Sequence, residues 1–324
     1  MRQGYWVGCM VPLGNWMRRH SCPAAVSRSA SLAVPRSPAS SRSKAISTRR
    51  TPWRATGIPA GTPVIVGTAD APAEAVAAGV LDAGSVMAMY GSSGFFIRVG
   101  DHLVTDQTLW AAPFVFPGTF VLAAGVATSG TATRWIAEAL DIVGETDQET
   151  FAALLDLATQ APPGCGGLLA LPHFSGERTP FHDPDSRAAF VGLGLAHGRA
   201  HLARSVIEGV AHATAAALAA YGAAGAPVKR VAAIGGGTKN DILLRSVSAI
   251  AQVTQTVVGS DGAALGDAAL AALAVGAVSS REEIARWTAY RHLIEPDPQL
   301  RAVLAPDHAK FLALYAALSE WRAH

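Results

Sequence analysis

The first acidic residue of the chain is Asp70, which stands in a segment of small and apolar residues. Residues 63 to 72 read PVIVGTADAP, an apolar run ending in small residues that is typical of a buried strand entering a turn. A carboxylate at the end of such a strand would be held rigidly at a cleft, where it could act as a base. Taken alone, the pattern also suits an aspartate that caps the turn before Pro72.

Two loops of small residues follow strand-like runs and could hold a ligand against bare backbone. Residues 85 to 100, SVMAMYGSSGFFIRVG, predict a hairpin whose turn is Gly91, Ser92, Ser93 and Gly94. Backbone N–H groups in such a turn can approach phosphate oxygens closely, although an ordinary hairpin turn explains the same residues. The second loop, Gly235, Gly236 and Gly237, separates the strand-like run VKRVAAI from a helix-like segment, without the G-x-G-x-x-G spacing of dinucleotide-binding folds.

Strand-like and helix-like segments alternate after Gly57, which predicts an α/β fold. Further strands are expected at LLALP (168–172) and TQTVVGS (254–260). Helices are expected at 73–80, 129–140, 148–160, 201–221, 241–252 and 263–275, and in a C-terminal segment with one apolar face formed by Phe311, Leu314, Tyr315, Leu318 and Trp321.

The polar segment SGERTPFHDPDSRAAFVGL (175–193) predicts a surface loop that carries function. His173, Glu177, Arg178 and Asp183 lie on or beside it, and we favour lid or domain contacts for them over a metal site. Cys165, between glycines, is expected to be a structural thiol.

Composition divides the chain at Gly57. The first 57 residues hold ten Lys or Arg and no Asp or Glu, so all 24 acidic residues belong to the Ala- and Gly-rich body. Residues 1–56 are expected to be disordered. Their Arg- and Ser-rich sequence suits a transit peptide, a nucleic-acid-binding arm or, as we favour, out-of-frame or misassigned translation.

Length and composition bound the class of protein. The 324 residues, half of them apolar, can bury one large core or two ordinary ones. Three cysteines without metal-ligand spacing argue against a disulfide-built secreted domain and favour a cytoplasmic protein. No apolar run in the sequence reaches the roughly 18 to 20 residues that cross a bilayer, so no membrane partner is expected.

Four segments, in this order, resemble those of the FGGY carbohydrate kinases. They are GTPVIVGTADAPAEAVAAGV (61–80), MYGSSGFF (89–96), AAFVGLGLAHGRAHLARSVIE (188–208), and IGGGTKNDILLRSVSAIA (234–251) followed by DGAALGDAALAALAVG (261–276). The third segment satisfies a family signature at every constrained position: Ala188, Phe190, Gly192, Leu193, His201, Leu202, Ser205, Val206, Ile207 and Glu208. Glu208 is expected to brace loops by hydrogen bonding rather than to act as an acid.

The resemblance implies an actin-like, ribonuclease-H-like ATPase fold with ATP and Mg²⁺ as cofactors. Asp70 would be the catalytic base, and the nucleotide would bind at Gly91, Ser92, Ser93, Gly94, Gly235, Gly236, Gly237 and Asn240, the last facing adenine. Residues 57–84 would be the end of the family's N-terminal domain, and residues 85–324 the C-terminal nucleotide-binding domain. The D-x-G-[ST] motif of the N-terminal domain is missing, because Asp82-Ala-Gly-Ser85 lies where a turn is expected.

Two functional hypotheses follow from the resemblance. The first is an N-terminally truncated sugar kinase of the xylulokinase type, which converts D-xylulose and ATP to D-xylulose 5-phosphate and ADP. The alternative is a non-catalytic nucleotide-binding module or another FGGY sugar or polyol kinase. Partners would be the sugar and ATP, with no nucleic acid, and the sequence is compatible with a homodimer.

Overall fold

The computed structural model describes residues 58–59, 61–259 and 262–323. The basic tail, with Cys9 and Cys22, lies outside these residues, so the three interpretations of the tail remain predictions.

A seven-stranded mixed sheet forms the centre of the described region. Nine strands are present there: β1 (Ser85–Tyr90), β2 (Gly94–Gly100), β3 (Trp110–Pro113), β4 (Phe120–Val126), β5 (Leu169–Leu171), β6 (Ala189–Val191), β7 (Arg230–Ile234), β8 (Gln255–Gly259) and β9 (Ala289–Ile294). The main sheet has the order β3-β4-β2-β1-β7-β8-β9, while β5 and β6 pair separately. Strands β1, β7 and β8 are parallel, and the remaining neighbours in the main sheet are antiparallel.

Helices cover both faces of the main sheet. They are α1 (Asp70–Ala77), α2 (Gly130–Ala139), α3 (Asp147–Thr159), α4 (Arg199–Ala223), α5 (Asp241–Ala251), α6 (Ala263–Val275), α7 (Arg281–Ala285) and α8 (Pro298–Arg322). One hydrophobic core contains side chains of α2, α3, α4, α5 and α8. A second core contains side chains of α1, α6 and α7, so the sheet is the middle of three layers.

The hairpin strand β1 shows why the central strands read as continuous apolar runs. Successive side chains of a strand point to opposite faces. Val86, Ala88 and Tyr90 accordingly enter the first core, while Met87 enters the second. Because both faces are covered by helices, no position of this strand needs to be polar.

Side-chain caps fix where several helices begin. Thr146 and Glu149 form a reciprocal capping box at the start of α3. Asn240 caps α5, and the Asp297 carboxylate caps α8 by accepting from the N–H groups of Gln299 and Leu300. The predicted helices at 129–140, 148–160, 241–252 and 263–275 are all present, with ends shifted by at most one residue.

Helix α4 is the one described helix that is long and apolar enough to cross a membrane by length and composition. Most of this helix is buried within the protein. Because its neighbours already cover it, α4 has the environment of a core helix.

The predicted strand in residues 63–72 is wrong. Residues 62–69 have no regular secondary structure, and Asp70 is the first residue of α1. Val64 and Val66 are exposed, so this apolar run lacks the pairing partner that would make it a buried strand.

Helix α1 nevertheless packs in the second core. Ala75 and Val76 are fully buried in the second core beside Met87 of β1. A Cβ atom at Gly266 of α6 would lie 1.9 Å from the carbonyl oxygen of Ala73, so the two helices meet backbone to backbone. The alanines and glycines of this region thus serve close helix packing.

Five elements were not expected from the sequence: β3, β4, β6, α7 and β9. Strands β3 and β9 form the two edges of the main sheet. All but one residue of β9 are exposed, so its sequence AYRHLI lacks the apolar run that identifies a central strand.

Candidate nucleotide site

A cavity of about 380 Å³ lies where the hairpin turn, the glycine loop and helices α2, α3 and α5 meet. Five of the eight predicted cofactor residues line it: Gly91, Ser92, Gly236, Gly237 and Asn240. Ser93, Gly94 and Gly235 are not among its lining residues. The fold therefore brings two segments together that are more than 140 positions apart in the sequence.

The hairpin turn is held by the first residues of α2. The N–H groups of Ser129 and Thr131 donate to the Ser92 carbonyl at 2.9 and 3.0 Å, and the Gly130 N–H donates to the Gly91 carbonyl at 2.9 Å. These donors would otherwise be the unpaired N–H groups of a helix N-terminus. They are engaged by the turn, so a bound anion would meet the turn itself rather than the helix end.

The glycine loop packs on the last residue of β1. A Cβ atom at Gly235 would lie 2.7 Å from the Tyr90 carbonyl oxygen, and one at Gly237 would lie 2.7 Å from Tyr90 Cβ. Gly235 also has a φ of 91°, which favours glycine. Gly235 and Gly237 are therefore required by packing against Tyr90.

Gly236 differs from its neighbours because a Cβ atom there would have no heavy atom within 4 Å. Its φ lies outside the left-handed region, and it lines the cavity. Any side chain at this position would occupy the open space in which a ligand could lie.

Tyr90 anchors the base of the cavity. Its hydroxyl donates to Gln255 Oε1 of β8 at 2.5 Å, and Gln255 Nε2 donates to the Leu244 carbonyl of α5 at 2.8 Å. Both side chains are fully buried, and burial raises the pKa of the Tyr90 hydroxyl above its usual range. Tyr90 thus remains neutral and fixes the end of β1 to β8 and α5.

Asn240 has a structural task in addition to its place in the cavity wall. Its side-chain Oδ1 accepts from the Leu243 N–H at 3.0 Å, so the residue caps α5. Gly94 is also a packing residue, because a Cβ atom there would lie 2.6 Å from Val126 Cγ2.

One wall of the cavity was missed in the sequence. It is formed by residues of α2 and α3: Thr133, Arg134, Ala137, Asp147, Gln148, Thr150, Phe151 and Leu154. Arg134 and Asp147 approach each other to 3.8 Å across the two helices. The sequence identified both helices, but it held no signal for the face that each turns to the cavity.

Asp70 is not among the residues that line this cavity. Its side chain is exposed at the start of α1, and its Oδ1 accepts from the Ala71 N–H at 2.8 Å. Burial, and then the Asp70 charge, raises the pKa of the Glu74 carboxyl one turn later.

Glu208 braces a loop, as the sequence predicted. Its Oε2 accepts from the Gly164 N–H at 3.1 Å and from the Cys165 thiol at 3.4 Å, while its Oε1 pairs with Arg204 at 2.7 Å. Cys165 is fully buried, and burial, followed by the Glu208 charge, raises the pKa of its thiol above the usual range. This thiol is a packing group.

His173, Glu177 and Asp183 form no three-ligand metal group in the part of the chain that the structure describes. His173, Glu177 and Asp183 instead contact their own loop, the chain after β4 and helix α8. These contacts connect the loop to the rest of the domain.

Comparison with protein families identifies the class of this fold. Residues 86–275 match the model of the C-terminal domain of the FGGY family of carbohydrate kinases. The chain belongs to this family. The expected family and the α/β actin-like fold are therefore confirmed.

Individual relatives point in the same direction. The chain is 30% identical over 263 residues to the xylulose kinase of Escherichia coli, which covers 80% of this chain and 53% of that protein. It is 27% identical over 248 residues to the gluconokinase of Bacillus subtilis, covering 73% of this chain and 48% of the relative. The crystal structure of xylulose kinase from Rhodospirillum rubrum superposes with a TM-score of 0.77 at 30% identity, covering 84% of this chain and 55% of that one. The chain thus spans about half the length of the relatives it matches.

Proposed function

We propose that this chain is the nucleotide-binding half of an ATP-dependent sugar kinase and that the cavity beside Gly236 binds the nucleotide. The observation that carries the proposal is the meeting of a small-residue hairpin turn with a glycine loop at one cavity wall. The volume of the cavity, about 380 Å³, lies within the range of roughly 300–1,000 Å³ that is usual for small-molecule sites.

The distribution of lining residues suits an adenine nucleotide. Ala137, Phe151, Leu154 and Leu243 give the cavity an apolar wall on which a base can lie. Ser92 and the glycines supply unhindered backbone for phosphate oxygens on the other side. In this proposal the base enters between α2, α3 and α5, and the phosphates extend towards the hairpin turn.

The proposed reaction transfers the γ-phosphoryl group of ATP to a sugar hydroxyl. A bond forms between the hydroxyl oxygen and the γ-phosphorus, the bond from that phosphorus to the bridging oxygen breaks, and Asp70 accepts the hydroxyl proton. Mg²⁺ accompanies ATP in such reactions. The described residues offer no group of three acidic, His or Cys ligands for it, so we assign it no protein ligands.

We propose D-xylulose as the sugar, with D-xylulose 5-phosphate as product. The support is the similarity to xylulose kinases in both sequence and structure. The similarity to a gluconokinase keeps gluconate as the alternative acceptor. In this proposal catalysis also requires a counterpart of the half of the relatives that the match does not cover. The proposed location of the protein is the cytoplasm.

A single substitution tests the nucleotide site. Gly236→Val would place a branched side chain in the cavity, and we expect calorimetry to detect no ADP binding by this variant. The matched control is Gly222→Val in α4, where an added Cβ atom also meets no heavy atom within 4 Å. Gly222 lies outside the cavity, so ADP affinity should be retained. Equal affinity of the Gly236→Val variant and the wild type would refute the site.

The second candidate function is a nucleotide-binding module without catalysis. It is favoured by the position of Asp70, which is exposed and not part of the cavity lining. Turnover separates the two functions, because both bind ADP and only the kinase consumes ATP in a sugar-dependent manner. The assay needs the protein joined to a counterpart of the uncovered half, with D-xylulose and gluconate tested separately.

A further inference from the structure

The loop of residues 172–187, called the polar loop below, is bonded to the chain segment between β4 and α2. Glu177 Oε1 accepts from the Ala127 N–H at 2.7 Å and from the Arg178 N–H at 2.7 Å. Thr128 donates its hydroxyl proton to the Pro172 carbonyl. The buried Glu177 carboxylate therefore holds the first residue after β4 in place.

The segment that Glu177 holds is continuous with the donors of the hairpin turn. Only two residues after Ala127, the N–H groups of Ser129, Gly130 and Thr131 begin their hydrogen bonds to the carbonyls of Gly91 and Ser92. A shift of residues 127–129 would move these donors and thus the turn that lines the cavity.

The second oxygen of Glu177 faces a row of side chains that ends on α8. Oε2 lies 3.4 Å from His173 Nε2, and His173 Nδ1 lies 2.8 Å from Ser186 Oγ. Arg322 donates to Ser186 Oγ at 3.5 Å. Because the Arg322 guanidinium can only donate, the Ser186 hydroxyl can donate its own proton to His173 Nδ1.

Burial of the charged Glu177 carboxylate is energetically unfavourable. The side chains of Glu177 and His173 are 1% and 0% exposed, and neither Glu177 Oε2 nor His173 Nε2 has a well-formed hydrogen bond. Burial raises the pKa of the Glu177 carboxyl to about 7, although the two N–H donors and the Arg178 charge act to lower it. Burial likewise lowers the pKa of His173 to about 4, with Asp183 opposing and Arg322 reinforcing that change. At neutral pH a neutral imidazole thus faces a partly ionised carboxyl group.

We propose that Glu177 is a positioning residue for the nucleotide phosphates, whose carboxylate sets residues 127–131 and through them the Gly91–Gly94 turn. The proposal depends on the proposed function, because it assumes that this turn contacts phosphate. Glu177 contacts no nucleotide itself and acts only through the backbone. A purely structural brace would be served as well by an uncharged glutamine, which lacks the desolvation penalty of a buried charge.

Glu177→Gln separates the two roles, because the positioning role predicts that the variant gains stability but binds ADP more weakly. The amide keeps the shape and one acceptor oxygen without the charge. A raised carboxyl pKa contributes stability below about pH 4.5 that is lost as the pH rises through about 7, so the variant should unfold at a higher temperature than the wild type at pH 8. Its hydrogen bonds to Ala127 and Arg178 are weaker than those of a carboxylate, so ADP should bind about fivefold more weakly.

The pH profile adds a readout that a brace would not change. The ratio of the ADP dissociation constants of variant and wild type should approach one at pH 5.5, where Glu177 is protonated, and rise towards pH 8. Taking this ratio cancels the titration of the nucleotide phosphate, which has a pKa near 6. The groups facing Glu177 and His173 are Arg178, Asp183, Tyr315 and Arg322, and all are identical in both proteins.

The matched control is Glu208→Gln, a second buried glutamate that braces residues 164–165 and does not line the cavity. Its ADP affinity should equal that of the wild type. If neither wild type nor this control binds ADP, the proposed function fails. If both bind, the inference fails when Glu177→Gln binds ADP equally well, loses stability or does not fold, or shows a ratio that is constant with pH.

Discussion

A methyl group added at Gly266 tests whether the segment that carries Asp70 is part of this fold. The Cβ atom of Gly266→Ala would lie 1.9 Å from the Ala73 carbonyl oxygen and 2.6 Å from its carbon. Both atoms belong to the backbone of α1 and cannot rotate away, so α1 and α6 must separate. Overpacking typically costs about 1–3 kcal/mol and occasionally more, against a gain of about 1 kcal/mol from helix propensity. For a backbone clash of this depth we expect a net loss of about 3 kcal/mol.

Thermal unfolding measures this loss. For a domain of this size, about 3 kcal/mol corresponds to a decrease in Tm of roughly 6–12 °C. Gly222→Ala in α4 is the matched control, since its Cβ atom meets no heavy atom within 4 Å. This control should gain about 0.5–1 kcal/mol from helix propensity alone. If the two alanine variants have the same Tm, α1 does not pack on α6 as described, and Asp70 is not anchored to the nucleotide domain.

Two further predictions concern Asp70 and the buried His212. In a version of the protein that phosphorylates its sugar, Asp70→Asn should lower turnover by at least about 10²-fold while ADP affinity stays constant, and undiminished turnover would exclude Asp70 as the base. His212, stacked on His308 and Phe311, has its pKa lowered to about 3, first by burial and then by the His308 charge. The stability linked to this group is complete above about pH 6.5 and is lost as the pH falls, by about 2 kcal/mol at pH 5. Between pH 7 and pH 5, urea unfolding should therefore show a smaller loss of unfolding free energy for His212→Phe than for the wild type. An equal loss in the two proteins would contradict this assignment.

Local sequence patterns were sufficient for several buried elements, although not for the interior strand β4. The hairpin of β1 and β2 could be predicted because two apolar runs flank a turn of small residues. Strand β9 could not, because an exposed edge strand needs no apolar run. The opposite error occurred at residues 63–69, where an apolar run occurs without strand pairing. Apolar sequence indicates a strand only when the fold supplies a partner.

The residues of the candidate site also differ in whether local sequence could identify them. Gly236 was identifiable because bare backbone after a strand is a local property, and its open Cβ position agrees with that interpretation. The wall formed by Phe151 and Leu154 depends on how α3 rotates against α2, which is decided by packing between distant segments. The link from Glu177 to Ala127 spans 50 positions and involves a backbone N–H group, which has no sequence signature.

In the proposed reaction Asp70 acts without touching the nucleotide, and the topology is consistent with that arrangement. The C-terminal ends of the parallel strands β1, β7 and β8 all lie on the same side of the sheet. The hairpin turn and the glycine loop also lie there. Helix α6 begins four residues after β8 ends, and its fourth residue, Gly266, packs on Ala73 of α1. The start of α1 therefore lies towards the C-terminal ends of these strands. Helix α1 belongs to the core on one face of the sheet, whereas Leu154 and Leu243 of the cavity wall belong to the core on the other. A nucleotide in the cavity would therefore reach a hydroxyl held near Asp70 only by extending its phosphates past the tip of the hairpin, which is where small residues leave room for them.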